Sequence, residues 1–301
     1  MASAAAGEER KKTACVTGGN GYIASLLIKM LLEEGYAVKT TVRHPEDKES
    51  NSHLEDLQKL GSLEVFRADL SEEGSYDDAV AGTVKRVVLT SSTAAVSSRP
   101  LEGNGNVLGE DSWSDVDYLT AKRTGLWAYP VSKVLIERAA TEFAAENGVS
   151  LVTLCPSVTV GEAPDRQVYT TVPAILSLLS GDEEELSVLK GIERASGSVP
   201  LVHVEDVCRA DIFAAETAAD GRYIVNGLDT TIADMARFLA DKYPQYNVDT
   251  NNLSGDVLEK PIALLPSTKL EKEGFEFKYK MLEKLYENMV EYGKELGILT
   301  N

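Results

Sequence analysis

The sequence predicts an α/β fold built on a parallel, doubly wound sheet, with a smaller C-terminal lobe. Three observations predict it. Short apolar runs alternate with stretches of helical periodicity through about residue 157. A glycine cluster stands where the first strand meets the first helix. Beyond residue 157 the alternation loses its regularity, which separates 158–301 from 1–157 as a second lobe interleaved with the end of the first.

Each element has its own signal. Residues 13–17 (TACVT) form a strand, and Ile23, Leu26, Leu27, Met30 and Leu31 mark one stripe of a helix closed by Gly35. YAVKTTVR (36–43) reads as a second strand, 49–60 as a polar-faced helix, and LEVFRADL (63–70) as a third strand. A weak helix near 73–81 leads to VKRVVLT (84–90), and a long helix runs from Tyr129 to about Glu146 before the buried strand LVTLCPS (151–157). The second lobe offers an acidic run (Asp182–Glu185), a strand PLVHV (200–204) and a helix from Glu205. It continues with a strand RYIVN (222–226) and helices near 231–242 and 280–295. Segments 97–125 and 158–200 read as irregular, and no internal repeat or low-complexity tract is present.

The chain has 301 residues, 43% of them hydrophobic, enough to bury a core without covalent staples. Thirty basic against 48 acidic residues give a net charge of −18, which argues against nucleic acid and an anionic membrane surface as partners. A local basic pocket for a phosphate-bearing ligand stays compatible with that balance. Cys15, Cys155 and Cys208 are scattered in apolar runs and read as buried free thiols of a reducing compartment. No apolar run reaches membrane-span length, and the first dozen residues lack the apolar core of a signal peptide. A cytoplasmic protein is expected.

Thr17-Gly18-Gly19-Asn20-Gly21-Tyr22-Ile23-Ala24 meets the dinucleotide spacing at the strand-to-helix turn. Glycine is required where the turn is tight and where backbone approaches a pyrophosphate, while the helix start offers N–H groups and a positive dipole end. Thr17, Gly18, Gly19, Asn20, Gly21, Tyr22 and Ile23 are therefore candidate cofactor-binding residues. A carboxylate about 20 residues on would mark an NAD site. From Gly35 to Pro45 there is no acid, and Arg43 ends the second strand instead, with His44 and Lys48 nearby. A guanidinium there holds a 2′-phosphate by forked hydrogen bonds, so NADPH is the expected cofactor.

Tyr129 and Lys133 are one helical turn apart and project on the same face. An ammonium beside a phenol favours the phenolate, which tunes a tyrosine to deliver a proton during hydride transfer. Ser92, following the strand VVLTSS, would hydrogen-bond the reacting oxygen.

With these residues on view, the chain resembles the extended short-chain dehydrogenase/reductases of plants, in the dihydroflavonol reductase and anthocyanidin reductase group. The matching stretches include ACVTGGNGYIAS (14–25), FRADL (66–70), VKRVVLTSS (84–92), YPVSK (129–133), SGSVPLVHVEDVCRA (196–210) and KEGFEFKY (272–279). The resemblance implies an NAD(P)-binding Rossmann fold and assigns Ser92, Tyr129 and Lys133 as the catalytic triad. It places Arg43 at the 2′-phosphate and Asp69 by the adenine; Leu70, Tyr129, Lys133, Pro156 and Val158 complete the implied cofactor contacts. Members of the dihydroflavonol branch carry asparagine five residues after the catalytic serine, where this chain has Ser97. That departure favours the anthocyanidin branch, in which NADPH reduces an anthocyanidin to a flavan-3-ol. A reductase of dihydroflavonols or phenylpropanoid carbonyls is the alternative within the enzymes. A catalytically silent NADP-binding or interaction protein is the alternative outside them.

One piece is missing. Only residues 70–89 separate Asp69 from Thr90, whereas the group has a further strand and helix there, so a βα unit is absent near Gly82-Thr83. Either residues 84–90 slide in to pair with residues 13–17, or the slot stays empty. The crossing spans about 14 Å, three strand spacings, and an 11-residue helix of about 16 Å would make the first arrangement reachable.

Overall fold

A computed structural model of the chain describes residues 12–82, 84–165, 167–250, 253 and 257–300. It divides into two compact units, residues 1–84 with 163–165 and residues 85–162 with 166–301. The break falls at the junction where the sequence lacks a βα unit.

The first unit runs β1 (Thr13–Val16), α1 (Tyr22–Glu33), β2 (Ala37–Val42), α2 (Ser52–Leu57), β3 (Leu63–Arg67) and α3 (Asp77–Val80). Its strands form one parallel sheet in the order β1-β2-β3, with Thr13 opposite Ala37 and Val38 opposite Leu63. Val38, Thr40, Thr41 and Val42 of β2 are buried, as a central strand of a helix-bearing sheet requires. The buried side of α1 is Tyr22, Ser25, Ile28, Leu31 and Leu32. Of the expected stripe only Leu31 is buried; Ile23, Leu26, Leu27 and Met30 are half-exposed. The helix packs on β1, β2 and α2, so its burial follows Ile28 rather than Leu27.

Cys15 corrects the sequence reading: Cys155 and Cys208 are buried, but Cys15 is exposed. It shares an uncovered face of β1 with Thr13, while Val16 turns inward. Burial pushes the Cys155 thiol up to about 12 and Cys208 well above its ordinary value. A chromogenic disulfide reagent should therefore titrate one fast thiol in the native chain and all three in denaturant. Cys15→Ser should remove the fast one; a fast thiol surviving that change would refute the exposed face of β1.

The second unit opens with β4 (Val87–Thr90), α4 (Ala94–Ser97), β5 (Asn106–Val107), α5 (Val116–Lys122), α6 (Ala128–Asn147), β6 (Leu151–Pro156) and β7 (Val158–Val160). It continues through α7 (Thr171–Ser180), α8 (Glu183–Ser196), β8 (Val199–His203), α9 (Val204–Glu216), β9 (Gly221–Val225), β10 (Leu228–Thr230) and α10 (Ile232–Lys242). Then come β11 (Ala263–Leu264), α11 (Thr268–Lys272) and α12 (Leu282–Glu295). A parallel sheet runs β4-β6-β9, a second sheet runs β10-β8-β7, and β5 pairs with β11. Thus β9, from beyond residue 157, is the third strand of the sheet that β4 and β6 begin. Val152, Leu154, Cys155, Tyr223, Ile224 and Val225 fill the interior around it.

The segment 158–200, expected to be irregular, contains α7 and α8. The first buries Val172 and every residue from Ala174 through Leu179, so its apolar residues point to most sides and leave little amphipathic contrast. The second starts at Asp182, whose Oδ1 accepts from the Glu184 and Glu185 amides, and ends at Gly197 (φ 73°). The acidic run is therefore a cap and first turn complementing the helix dipole.

Val87 to Thr90 pair with Leu151 to Leu154, and no ladder between them and residues 13–17 is present among the described residues. The connection that sliding needs is not built: α3 has one turn, framed by Gly74 and Gly82 at φ 76° and 124°. Among the described residues, no strand pairs with the outer edge of β1 or of β4. Nor is any helix among them long and apolar enough to cross a membrane.

Candidate active site

Within the first unit the glycine turn is held from below by β2. The Gly18 amide donates to Thr41 Oγ1 at 3.1 Å, the Gly19 amide to the Thr41 carbonyl at 2.8 Å and the Gly21 amide to the Gly18 carbonyl at 2.8 Å. Gly18 adopts φ 69°, and a Cβ on Gly19 would lie 2.2 Å from Thr40 Oγ1. Both glycines are demanded by the turn itself, before any ligand is considered. Buried His53, on α2, contacts the Gly19 carbonyl at 3.1 Å, a support the sequence reading missed. Thr17 is exposed, Asn20 and Ile23 half-buried, and Tyr22 buried. No side chain caps the start of α1 at Gly21. A glycine turn feeding a helix start without a side-chain cap fits a pyrophosphate.

Arg43 stands at the end of β2 with its side chain 66% exposed, and its Nε lies 3.4 Å from Asp69 Oδ2. The backbone amide and hydroxyl of Ser71 donate to Asp69 Oδ1 at 2.8 and 2.7 Å and hold that carboxyl below the usual carboxylate range. The two residues assigned to opposite ends of the adenosine half thus meet in the first unit. Leu70, beside them, is 88% exposed.

The second unit gathers Ser92, Tyr129, Lys133, Pro156 and Val158. Ser92 follows β4, and its Oγ accepts from the Ala94 amide at 3.1 Å, which starts α4. The next amide, Thr93, donates to the Pro156 carbonyl at 2.9 Å and ties this turn to the end of β6; Val158 opens β7 half-buried. Tyr129 lies in the first turn of α6, 48% exposed, and Lys133 Nζ lies 5.7 Å from its ring centroid. Lys133 Nζ also donates to the Thr90 carbonyl at 3.4 Å, linking the α6 pair to the end of β4. Ser97 is fully buried, its hydroxyl donating to the Thr93 carbonyl at 3.2 Å.

Sequence reasoning missed what holds this arrangement. Glu137 continues the Tyr129-Lys133 face by one more turn and is 1% exposed. It accepts a short hydrogen bond from the Ser91 hydroxyl, next to Ser92. Arg222, on β9, brings its Nε within 2.6 Å of Glu137 Oε2. The same guanidinium donates to the carbonyls of Ser112 (2.6 Å), Glu110 (3.0 Å) and Ala95 (3.2 Å), and lies 3.9 Å above the Trp113 ring. The only sequence signal was the spacing Tyr129, Lys133, Glu137.

Behind β4, burial pushes the Asp211 carboxyl up to about 7, opposed by a hydrogen bond with the Thr90 side chain. Its Oδ2 has no partner among the described residues. A carboxyl raised in the folded state favours folding while protonated. Its contribution is full below the unfolded value and is lost as pH rises through about 7. Asp211→Asn should therefore raise stability at pH 8 by about 2 kcal/mol and flatten the fall between pH 5 and 8. Urea unfolding at the two pH values checks this; an unchanged slope would mean the carboxyl is solvated.

Comparison with known proteins gives consistent relatives. The model of the NAD dependent epimerase/dehydratase family matches residues 14–110 and 83–226, the second segment starting at the Gly82-Thr83 junction. An anthocyanidin reductase ((2S)-flavan-3-ol-forming) of Vitis vinifera is 42% identical over 333 positions, covering 97% of this chain and 98% of the relative. A dihydroflavonol 4-reductase of Arabidopsis thaliana is 34% identical over 96% of this chain and 84% of the relative. Among solved structures, vestitone reductase from alfalfa superposes with a TM-score of 0.82 at 32% identity, covering 96% of this chain and 100% of that one. The Vitis alignment runs over 333 positions, of which 97% of 301 residues fills about 292, so about 41 face a gap in this chain. With a Rossmann-type parallel sheet and a glycine turn in place, the chain is an oxidoreductase that belongs to the NAD dependent epimerase/dehydratase family.

Proposed function

We propose that the chain is built as an NADPH-dependent flavonoid reductase, with an anthocyanidin as the small-molecule substrate, in a form shortened by one βα unit. The observation that carries the chemistry is Lys133 placed between the Tyr129 ring and the Thr90 carbonyl, next to the Ser92 turn. NADPH supplies a hydride when bound. Tyr129, exposed in the first turn of α6, delivers the proton; Lys133 sets its ammonium beside the Tyr129 ring; Ser92 hydrogen-bonds the substrate oxygen. Residues 1–157 supply the nucleotide half and 158–301 most of the substrate lobe, and the cytoplasm is the proposed compartment. Ser97, where the dihydroflavonol branch has asparagine, supports an anthocyanidin over a dihydroflavonol.

Arg43 selects the nucleotide in this reading. On binding, its guanidinium exchanges Asp69 for the 2′-phosphate. Arg43→Ala should weaken NADPH by about 1.5–3 kcal/mol and leave NADH nearly unchanged in a fluorescence titration. Equal losses for both nucleotides would remove Arg43 from the site. A second reading, a silent nucleotide-binding protein, is favoured by the unpaired edges of β1 and β4.

A further inference from the structure

We infer that His203 and Glu205 form a proton-driven switch inside the second unit. A solvent proton on the imidazole undoes the cap of α9 and draws the Glu205 carboxylate away from Lys278 and Tyr279. His203 ends β8 and is the N-cap of α9, where its Nδ1 accepts from the Glu205 amide at 3.1 Å. Its Nε2 lies 3.3 Å from Asn288 Oδ1, on α12. That oxygen also accepts from the Glu162 amide at 2.9 Å, which fixes the Asn288 side chain with its oxygen toward the ring. An acceptor at Nδ1 and a donor at Nε2 describe one species, the neutral imidazole with its hydrogen on Nε2.

The ring has no room to turn. It is 3% exposed and stacks on Tyr279 with centroids 3.8 Å apart. A Cβ on Gly161 would lie 2.5 Å from Nε2, so the ring packs directly on that backbone. A proton is therefore answered by a change of partners and not by rotation. On Nδ1 it meets the Glu205 N–H, donor against donor, and the cap is lost. The Nε2 bond to Asn288 survives, because that nitrogen donates in both states.

The charges around the ring decide which anion takes the new N–H. From α9 come the Glu205 and Asp206 carboxylates, and from the segment before α12 comes the Lys278 ammonium. On its other sides α12 offers the neutral Asn288, and the turn after β7 offers the Gly161 backbone, with the Glu162 side chain exposed. Asp206 is fully buried and already committed. It accepts from the Lys278 and Tyr279 amides, both at 2.9 Å, and from Arg209 Nη1 at 2.7 Å. Glu205 is freer: its side chain is 28% exposed, and it accepts from the side chains of Lys278 (2.9 Å) and Tyr279 (2.7 Å). Turning to His203, it releases both side chains while Asp206 keeps the 278–279 backbone in place. The event is local. Burial holds the imidazole below its ordinary value of about 6.5, opposed by the Asn288 bond and the two carboxylates. The stability contributed by the neutral ring is full above about pH 6.5 and is lost as pH falls through the lowered value.

The chain has three histidines, and His44 and His53 belong to the first unit, so His203 is the single imidazole of the second. Nitrogen NMR of the imidazoles between about pH 5 and 8 should find His203 with its hydrogen on Nε2 at the upper end and a midpoint below about 6.5. Over the same range the Glu205 amide should lose protection from hydrogen exchange about tenfold or more, with the Tyr279 amide unchanged. Glu205→Gln should lower the proton affinity of His203 about threefold or more, by removing the anion that receives the new N–H. His203→Asn keeps an oxygen to cap α9 and cannot titrate, so protection of its Glu205 amide should be the same across the range. A hydrogen on Nδ1 at about pH 8, an imidazole still neutral at about pH 5, or a Glu205 amide whose protection ignores the titration would overturn the inference. So would an unchanged midpoint in Glu205→Gln or pH-dependent protection in His203→Asn. Equal loss at the Tyr279 amide would overturn it too, by making the event an unfolding of the lobe. The unaltered chain and Glu205→Gln decide the matter whether or not His203→Asn folds.

Discussion

Arg222→Ala and Glu137→Ala should each lower stability by about 3–5 kcal/mol, read as a shift of the urea midpoint. The two groups are 11% and 1% exposed on their side chains, so removing either leaves the other charged and unpaired inside the protein. Arg222 is the costlier loss to compensate. Its guanidinium also satisfies the Ser112, Glu110 and Ala95 carbonyls, and no neighbouring donor is placed to replace it. Glu137 in turn receives the Ser91 hydroxyl, and Cys155 Sγ approaches it at 3.7 Å. An apolar replacement of both, Glu137→Leu with Arg222→Met, should cost clearly less than the sum of the single changes, because no buried charge then remains. Losses below about 1 kcal/mol for both single variants would show the pair to be solvated and would remove it as the anchor of the Ser92 turn.

Much of this fold was legible because its periodicities are clean. The run TACVT, the glycine cluster and the stripe through α1 announce one another, and the long helix α6 was placed from Tyr129 to Glu146 within a residue or two of its observed ends. What escaped lacked a contrasting face. The α7 segment is apolar throughout, and the Asp182–Glu185 run reads as a solvated charge cluster until Asp182 is seen capping α8. The helix expected over 73–81 shrinks to one turn between two glycines. The motifs behind the proposed site, Ser92, Tyr129, Lys133 and the glycine turn, were legible in the sequence. Their support was not. A glutamate on a helix is ordinarily solvated, and only the tertiary approach of Arg222 from β9 reveals Glu137 as buried. Cys15 was misjudged because it lies with Thr13 on the exposed face of β1.

The shortened sheet bears on turnover. The proposed nucleotide-binding residues lie in the first unit, on or beside β1, β2 and β3, and the proposed reacting side chains lie in the second, on the turn after β4 and on α6. Displacing reacting groups by about 1 Å can cost a hundredfold in rate, and a missing strand spacing is about 4.8 Å. NADPH oxidation with an anthocyanidin, run side by side on this chain and on the Vitis vinifera anthocyanidin reductase, should give at least a hundredfold lower kcat/KM for this chain. A value within threefold of the relative would contradict the account, because it would show that the retained residues form a working site without the absent βα unit.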